Sequence, residues 1–122
     1  MKQEYLTWAE VDLAAIAHNV RELKRLIGPG VLLCAVVKAN AYGHGAEKVA
    51  RAALAHGADR LAVAQPAEGW QLRQAGISAP ILILGPTPPW MAQQIVAHGL
   101  AVTVNTTETA QALSAAANAT GA

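Results

Sequence analysis

The sequence contains no phenylalanine, a single cysteine and few charged residues. Aromatic residues make up 4% and charged residues 14% of its 122 residues, and the formal net charge is +1. The lone Cys34 cannot form an internal disulfide, which excludes a disulfide-stapled scaffold. The lysines and arginines are scattered, so no basic patch indicates a nucleic-acid or membrane-surface partner. His18, His56 and His98 do not share the spacing of metal ligands, and no metal site is expected.

Long apolar runs are also missing. No stretch approaches the roughly 20 residues that cross a bilayer, and Met1–Tyr5 leads into no segment resembling a signal peptide. We therefore expect a soluble cytoplasmic protein. Because Cys34 lies within an apolar run, we expect it to be a small, buried core residue in a reducing compartment.

The sequence does contain enough apolar material for one compact core. Hydrophobic residues make up 53% of the chain, unlike a disordered chain, and the length is too short for two ordinary domains. A pattern repeats, in which a helix-like segment ends at a glycine and a short apolar run follows. The glycines are Gly28, Gly57, Gly76, Gly99 and Gly121, and the runs are 31–37, 61–64, 81–84 and 100–104.

Capping residues predict where the helices begin. Asp12 precedes a stretch with helical apolar spacing, and Pro66 can take a first helical position with Glu68 close behind. Thr87-Pro88 repeats the cap-then-proline arrangement, and Asn105–Glu108 resembles a capping box with asparagine as the cap.

Short apolar strands that alternate with helices predict an α/β fold with a parallel sheet covered by helices. Such a piece fits either a doubly wound sheet or a (β/α)8 TIM barrel. A dinucleotide-binding glycine fingerprint and a P-loop are both absent, which favours the barrel. A whole barrel takes about 250 residues, so we expect a partial barrel of about the first four βα units. One extra strand is expected before the first helix, at Tyr5–Val11 within residues 1–12.

Lys38 stands where the apolar run 31–37 should end in a turn residue. A lysine there can reach the rim of the sheet or pair with a carboxylate. It can also be reactive, because the carboxyl ends of parallel strands form the active face of such folds. A desolvated lysine loses its proton more readily, and the free amine is the form that attacks a carbonyl to make a Schiff base.

The loop after Lys38 supports the reactive interpretation. Tyr42 offers a hydroxyl four residues on, and Gly43 and Gly45 let backbone and ligand approach closely. The glycines lead into a predicted helix whose first free N–H groups would point toward the same face.

Ala35–Gly45 resembles, almost letter for letter, the cofactor-lysine signature of alanine racemases. The likeness covers nearly the whole chain and weakens after Pro86. Further segments similar to that family follow in the same order: Trp8–Leu13, Ile16 with His18-Asn19, Arg60–Ala64, Glu68 with Leu72-Arg73, and Pro80–Gly85.

The resemblance implies a role for three residues. Lys38 would hold pyridoxal 5'-phosphate as a Schiff base and then act as the base toward the α-proton of D-alanine. Tyr42 would bind the cofactor phosphate through its hydroxyl, and Leu84 would pack near the pyridine ring. The chain would be the amino-terminal half, residues 1–122, of a pyridoxal-phosphate-binding barrel domain. The extra strand would pack on a carboxyl-terminal β domain.

The resemblance also implies parts that have no matching position here. One is a second base, which would be a tyrosine from the carboxyl-terminal domain of the partner subunit. The other is an arginine at the pyridine nitrogen. The complete protein would be a homodimer that interconverts L- and D-alanine and supplies D-alanine for peptidoglycan. Two alternatives stay open: a truncated or split chain that binds pyridoxal phosphate without turnover, and a serine or broad-specificity racemase of the same fold.

Overall fold

The computed structural model describes residues 5–122, which form a parallel sheet covered by helices. The four strands are β1 (Cys34–Val36), β2 (Arg60–Val63), β3 (Ile81–Pro86) and β4 (Ala101–Thr103). The helices are α1 (Leu13–Ile27), α2 (Lys38–Tyr42), α3 (Ala46–Ala55), α4 (Pro66–Gln74), α5 (Ala92–Ala97) and α6 (Thr107–Thr120), with a 3-10 turn at Pro89–Met91. None of the helices described over residues 5–122 has the length and apolarity needed to cross a membrane.

The strands lie in the spatial order β1-β2-β3-β4, and each pairs in parallel with the next along the chain. Val36 pairs with Ala62, and Ala62 pairs with Leu82, so the first three strands are in step. An irregularity between Ile83 and Pro86 shifts the register toward β4. Consecutive parallel strands joined by helices are the expected βα units, and the α/β prediction is confirmed.

The two faces of the sheet differ in burial. Leu61, Val63, Ile81 and Ile83 are almost fully buried and form the core with residues of the covering helices. The alternate positions form the other face, where Val36 is 39% and Leu84 40% exposed. In a closed barrel such positions fill the interior. The core therefore lies between the sheet and the helices, and the opposite face exposes Val36 and Leu84, although Ala62 on that face is buried.

Most predicted helix boundaries are confirmed. The Asp12 carboxylate accepts hydrogen bonds from the Ala14 and Ala15 amides at 2.8 and 3.2 Å, and α4 begins at Pro66. The glycines predicted to follow helices all lie at positive φ: Gly28, Gly57, Gly76, Gly99 and Gly121.

Two predicted caps are wrong. Thr106, rather than Asn105, accepts the hydrogen bond from the Thr109 amide at the start of α6. Thr87 caps no helix, since its side chain is buried and its carbonyl accepts a hydrogen bond from the Thr109 hydroxyl at 3.1 Å. The bond from the Thr109 hydroxyl instead joins the segment after β3 to α6.

The expected extra strand has no counterpart among the described residues 5–12. Residues 5–12 contain no helix or strand, and Tyr5, Leu6 and Trp8 are highly exposed. A strand needs a hydrogen-bonding neighbour, and this segment has none in the described part of the chain. Residues 1–4 of that prediction lie outside the described residues. Packing of the segment on a β domain stays a prediction.

Cys34 is half-buried at the start of β1, not fully buried as expected. The strand begins at the edge of the sheet, where only one neighbour covers it. Burial still raises the pKa of the Cys34 thiol above its ordinary value, more strongly than the nearby Arg60 charge lowers it. The thiol is therefore held in its protonated, less reactive form.

The Asp59 carboxylate fixes the segment that leads into β1. Asp59 accepts a hydrogen bond from the Lys24 ammonium and another from the Leu33 amide, both at 2.6 Å. The Lys24 ammonium also donates to the Val31 carbonyl at 2.9 Å. These bonds join the end of α1, the segment before β1 and the start of β2.

This arrangement predicts acid sensitivity. The Lys24 hydrogen bond and then the Leu33 amide hold the pKa of Asp59 below its ordinary value. The stabilisation is complete above the unfolded-state pKa, about 3.9, and is lost as the pH falls through the lower folded-state pKa. Asp59→Asn should lower the free energy of unfolding at pH 7 and flatten its pH dependence below about pH 4. Urea unfolding at several pH values measures this, with Glu47→Gln, at an exposed ion pair, as the control.

Candidate active site

The carboxyl edge of the sheet brings together two of the three predicted site positions. Lys38 follows β1 directly, after Val37, whose amide donates to the Ala62 carbonyl at 2.8 Å. Leu84 lies two residues beyond Leu82, at the same edge of β3. Neighbouring strands are about 4.8 Å apart, so the backbones at Lys38 and Leu84 are separated by about 10 Å, with β2 between them.

The short segment α2 (Lys38–Tyr42) is a left-handed turn and not an ordinary α-helix. Ala39, Asn40, Ala41 and Tyr42 have φ values of 50°, 55°, 52° and 55°. A left-handed residue with a Cβ costs roughly 1–2 kcal/mol, and a run of four is rare because only asparagine among these residue types tolerates it well. Strain of this kind persists only where surrounding contacts over-determine it.

Hydrogen bonds within the loop hold this turn. The Ala41 amide donates to the Val37 carbonyl at 2.9 Å, and the Gly45 amide to the Asn40 carbonyl at 2.9 Å. The Asn40 side-chain oxygen accepts from the Ala46 amide at 2.9 Å and so caps α3. The expected free N–H groups at the start of that helix are therefore not all free, because the first of them, that of Ala46, is taken by Asn40.

A carboxylate from the next βα unit also holds the turn. Glu68 Oε1 accepts a hydrogen bond from the Ala39 amide at 2.6 Å. Its other oxygen, Oε2, accepts from the Ala64 and Gln65 amides at 2.7 and 2.9 Å. Glu68 thus joins the loops that follow β1 and β2.

The predicted site side chains are accessible. Lys38 is half-buried, and no hydrogen bond or ion pair among residues 5–122 engages its ammonium. Tyr42 is 60% exposed and follows Lys38 by about one helical turn. Its hydroxyl has no hydrogen-bond partner in the described part of the chain. Lysine pairing with a carboxylate, one of the two simpler interpretations of Lys38, is therefore not observed.

Sequence patterns do not predict the left-handed turn or the contact between Glu68 and Ala39. The glycines at 43 and 45 and the asparagine at 40 were the only local signals, since alanine and tyrosine disfavour positive φ. Glu68 was recognised as a residue of the first helical turn, but its bond to Ala39 spans 29 positions of the sequence. Periodicity carries no information about such a bond.

The fold and the position of Lys38 define a class of protein. Its members have consecutive parallel βα units with a lysine at the carboxyl end of the first strand. The family profile described as "Alanine racemase, N-terminal domain" matches residues 11–122. An alanine racemase of Desulfovibrio desulfuricans is 49% identical over 114 residues, which are 93% of this chain and 31% of that protein. The chain belongs to the alanine racemase N-terminal domain family.

Solved structures of alanine racemases match the fold of this chain. Alanine racemase of Clostridium difficile 630 superimposes with a TM-score of 0.91 at 41% identity, over 98% of this chain and 32% of that one. The enzyme of Bacillus anthracis with bound L-Ala-P gives 0.85 at 47% identity, over 90% and 28%. The prediction of a partial TIM barrel is confirmed. The chain spans about three tenths of the length of these relatives.

Proposed function

We propose that this chain supplies the cofactor lysine of a pyridoxal-phosphate-dependent racemase that interconverts L- and D-alanine. The observation that carries the proposal is Lys38 at the carboxyl end of β1, with an ammonium that no described side chain neutralises. Its surrounding sequence, Ala35–Gly45, resembles the family's cofactor-lysine signature. Relatives named alanine racemase, among them one structure named with bound L-Ala-P, support alanine as the substrate.

The residues present fit the cofactor. A half-buried primary amine can bond to an aldehyde carbon, and the exposed Tyr42 hydroxyl can donate to a phosphate oxygen. Leu84 offers an apolar surface at the same edge of the sheet, with 40% of its area open. The Ala39, Ala41, Gly45 and Ala46 amides are already bonded within the chain. The Tyr42 hydroxyl is one donor of this loop that stays available to a phosphate, because it has no hydrogen-bond partner in the described part of the chain.

Each residue then has a distinct task. Lys38 would hold the cofactor covalently and, once released by substrate, take or return the α-proton at its Nζ. Tyr42 would orient the cofactor through the phosphate, and Leu84 would exclude water from one side of the ring. When bound, the cofactor withdraws electrons from the substrate α-carbon and so makes its proton removable. The homodimer and the cytoplasmic location stay predictions.

Reductive trapping tests this proposal. Pyridoxal phosphate followed by borohydride should place a reduced adduct on the tryptic peptide that contains Lys38, as located by mass spectrometry. Lys38→Ala should remove that adduct, and circular dichroism should show the fold retained because the side chain makes no bonds here. Lys48→Ala is the matched control, since it removes an exposed lysine of α3. It should leave the adduct unchanged.

Tyr42→Phe separates the two assigned tasks. Loss of the hydroxyl should weaken retention of the cofactor through dialysis more than it lowers the yield of trapping at saturating cofactor. Label spread evenly over Lys24, Lys38 and Lys48 in the unmodified chain would indicate ordinary surface chemistry. The proposed function would then lose its main support.

A further inference from the structure

We propose that Glu68 is a positioning residue for Lys38, which it orients through the backbone of Ala39 without contacting the cofactor. The inference rests on the proposed function, since it concerns how the amine of Lys38 is presented. Its starting point is the 2.6 Å hydrogen bond from the Ala39 amide to Glu68 Oε1.

Glu68 makes one more hydrogen bond than a helix cap requires. One oxygen, Oε2, accepts the Ala64 and Gln65 amides and satisfies the start of α4. Capping requires nothing of Oε1, yet this oxygen reaches across to the loop of the preceding βα unit. A single carboxylate therefore holds the segments that follow two neighbouring strands at a common edge.

The bonded amide is well placed to control Lys38. The Ala39 N–H belongs to the peptide group that also contains the Lys38 carbonyl, and this group is planar. Fixing the N–H direction therefore fixes the rotation of that plane about the Lys38 Cα. The same plane is one of the two that define the φ of Ala39, the first left-handed residue, whose φ is 50° and ψ 49°.

The turn needs such an anchor. A chain released at Ala39 would relax toward negative φ, because the Cβ of alanine opposes the left-handed conformation. Lys38 precedes that point directly, so its side chain would leave the sheet edge in another direction. Backbone bonds also hold the turn, such as the one from the Gly43 amide to the Ala39 carbonyl at 3.1 Å. Glu68 Oε1 is the side-chain acceptor of the amide in the Lys38–Ala39 peptide.

The test uses Glu68→Gln in the full chain. The amide has one acceptor oxygen, so it can serve the α4 amides or the Ala39 amide, while its NH2 group faces a donor at the other position. At a temperature where all variants are folded, the initial rate of borohydride trapping of pyridoxal phosphate on Lys38 should fall about tenfold, as expected for loss of one charge-assisted hydrogen bond.

Two further variants separate positioning from folding. Asp12→Ala removes a carboxylate cap of two amides at α1 and should leave the trapping rate unchanged. Ala39→Gly in the Glu68→Gln background should restore the rate to within about threefold of the original, because glycine adopts positive φ without steric cost. A residue that only capped α4 would not be rescued by a change at position 39.

Ala39→Val tests the inference independently of the cap, and serves if Glu68→Gln does not fold. Ala39 is exposed, so the larger side chain has room, but a β-branched residue disfavours the left-handed conformation further. Trapping should slow with Glu68 intact. An original rate in either Glu68→Gln or Ala39→Val, or no rescue by glycine, overturns the inference. Absence of Lys38-specific label in the unmodified chain would instead mean that the proposed function has failed.

Discussion

The 122 residues by themselves will not interconvert L- and D-alanine faster than free pyridoxal phosphate by any useful factor. Racemisation removes a proton from one face of the α-carbon and returns one to the other. Lys38 can serve one face, but the second base that the family resemblance implies has no matching position here. A positioned general acid or base typically contributes about 10²–10⁴-fold, and poorer positioning of the cofactor lowers the rate further.

Exchange of the α-proton measures this directly. Each enantiomer of alanine is incubated with the chain and pyridoxal phosphate in deuterated water, and deuterium incorporation and inversion are followed. The Clostridium difficile alanine racemase aligns with 98% of this chain. A hybrid that joins this chain to the remainder of that enzyme should recover inversion. Lys38→Ala in the hybrid should then abolish inversion, whereas Lys48→Ala should preserve it. Inversion by the 122 residues alone would show that the second base is dispensable.

Gly85→Ala is the substitution we expect to destabilise the fold most. A Cβ at Gly85 would lie 2.6 Å from the Ala64 carbonyl oxygen, closer than real contacts allow. The obstacle is backbone, so β2 and β3 must separate where the Gly85 amide donates to that same carbonyl at 3.0 Å. We expect a loss of about 3 kcal/mol in the free energy of unfolding, the upper end of overpacking effects.

Gly30→Ala is the matched control for this prediction. Nothing lies within 4 Å of a Cβ at Gly30, and its backbone is outside the positive-φ region. Its free energy of unfolding should change little or rise by about 0.4–1 kcal/mol, because alanine restricts the unfolded chain. Equal urea midpoints for the two variants would contradict the close approach of β2 and β3.

The Gly85 variant also bears on the site. Leu84 precedes Gly85, and the Ala64 amide is one of the three held by Glu68. Separating β2 from β3 at this level would therefore displace Leu84 and disturb the hydrogen bonds by which Glu68 holds the Lys38 loop. Slower trapping on Lys38, at a temperature where the variant is folded, is the corresponding expectation.

Local patterns in the sequence determined the elements and their order. Apolar periodicity and the glycines after each helix placed the four strands within a few residues, as for the run 81–84 and the observed Ile81–Pro86. Asp12 and Pro66 marked helix starts because capping acts over two or three residues. Lys38 was noticeable for the same reason, as a charged residue directly after an apolar strand.

The tertiary structure alone decided how the edge around Lys38 is built. The left-handed conformation of Ala39–Tyr42 opposes the preference of three of its four residues, and a carboxylate 29 positions away helps to hold it. The close approach of Gly85 to Ala64 and the exposure of Tyr5–Glu10 likewise depend on which segments become neighbours. Sequence patterns report preferences over a few residues, whereas these features arise from hydrogen bonds and packing between segments that only folding brings together.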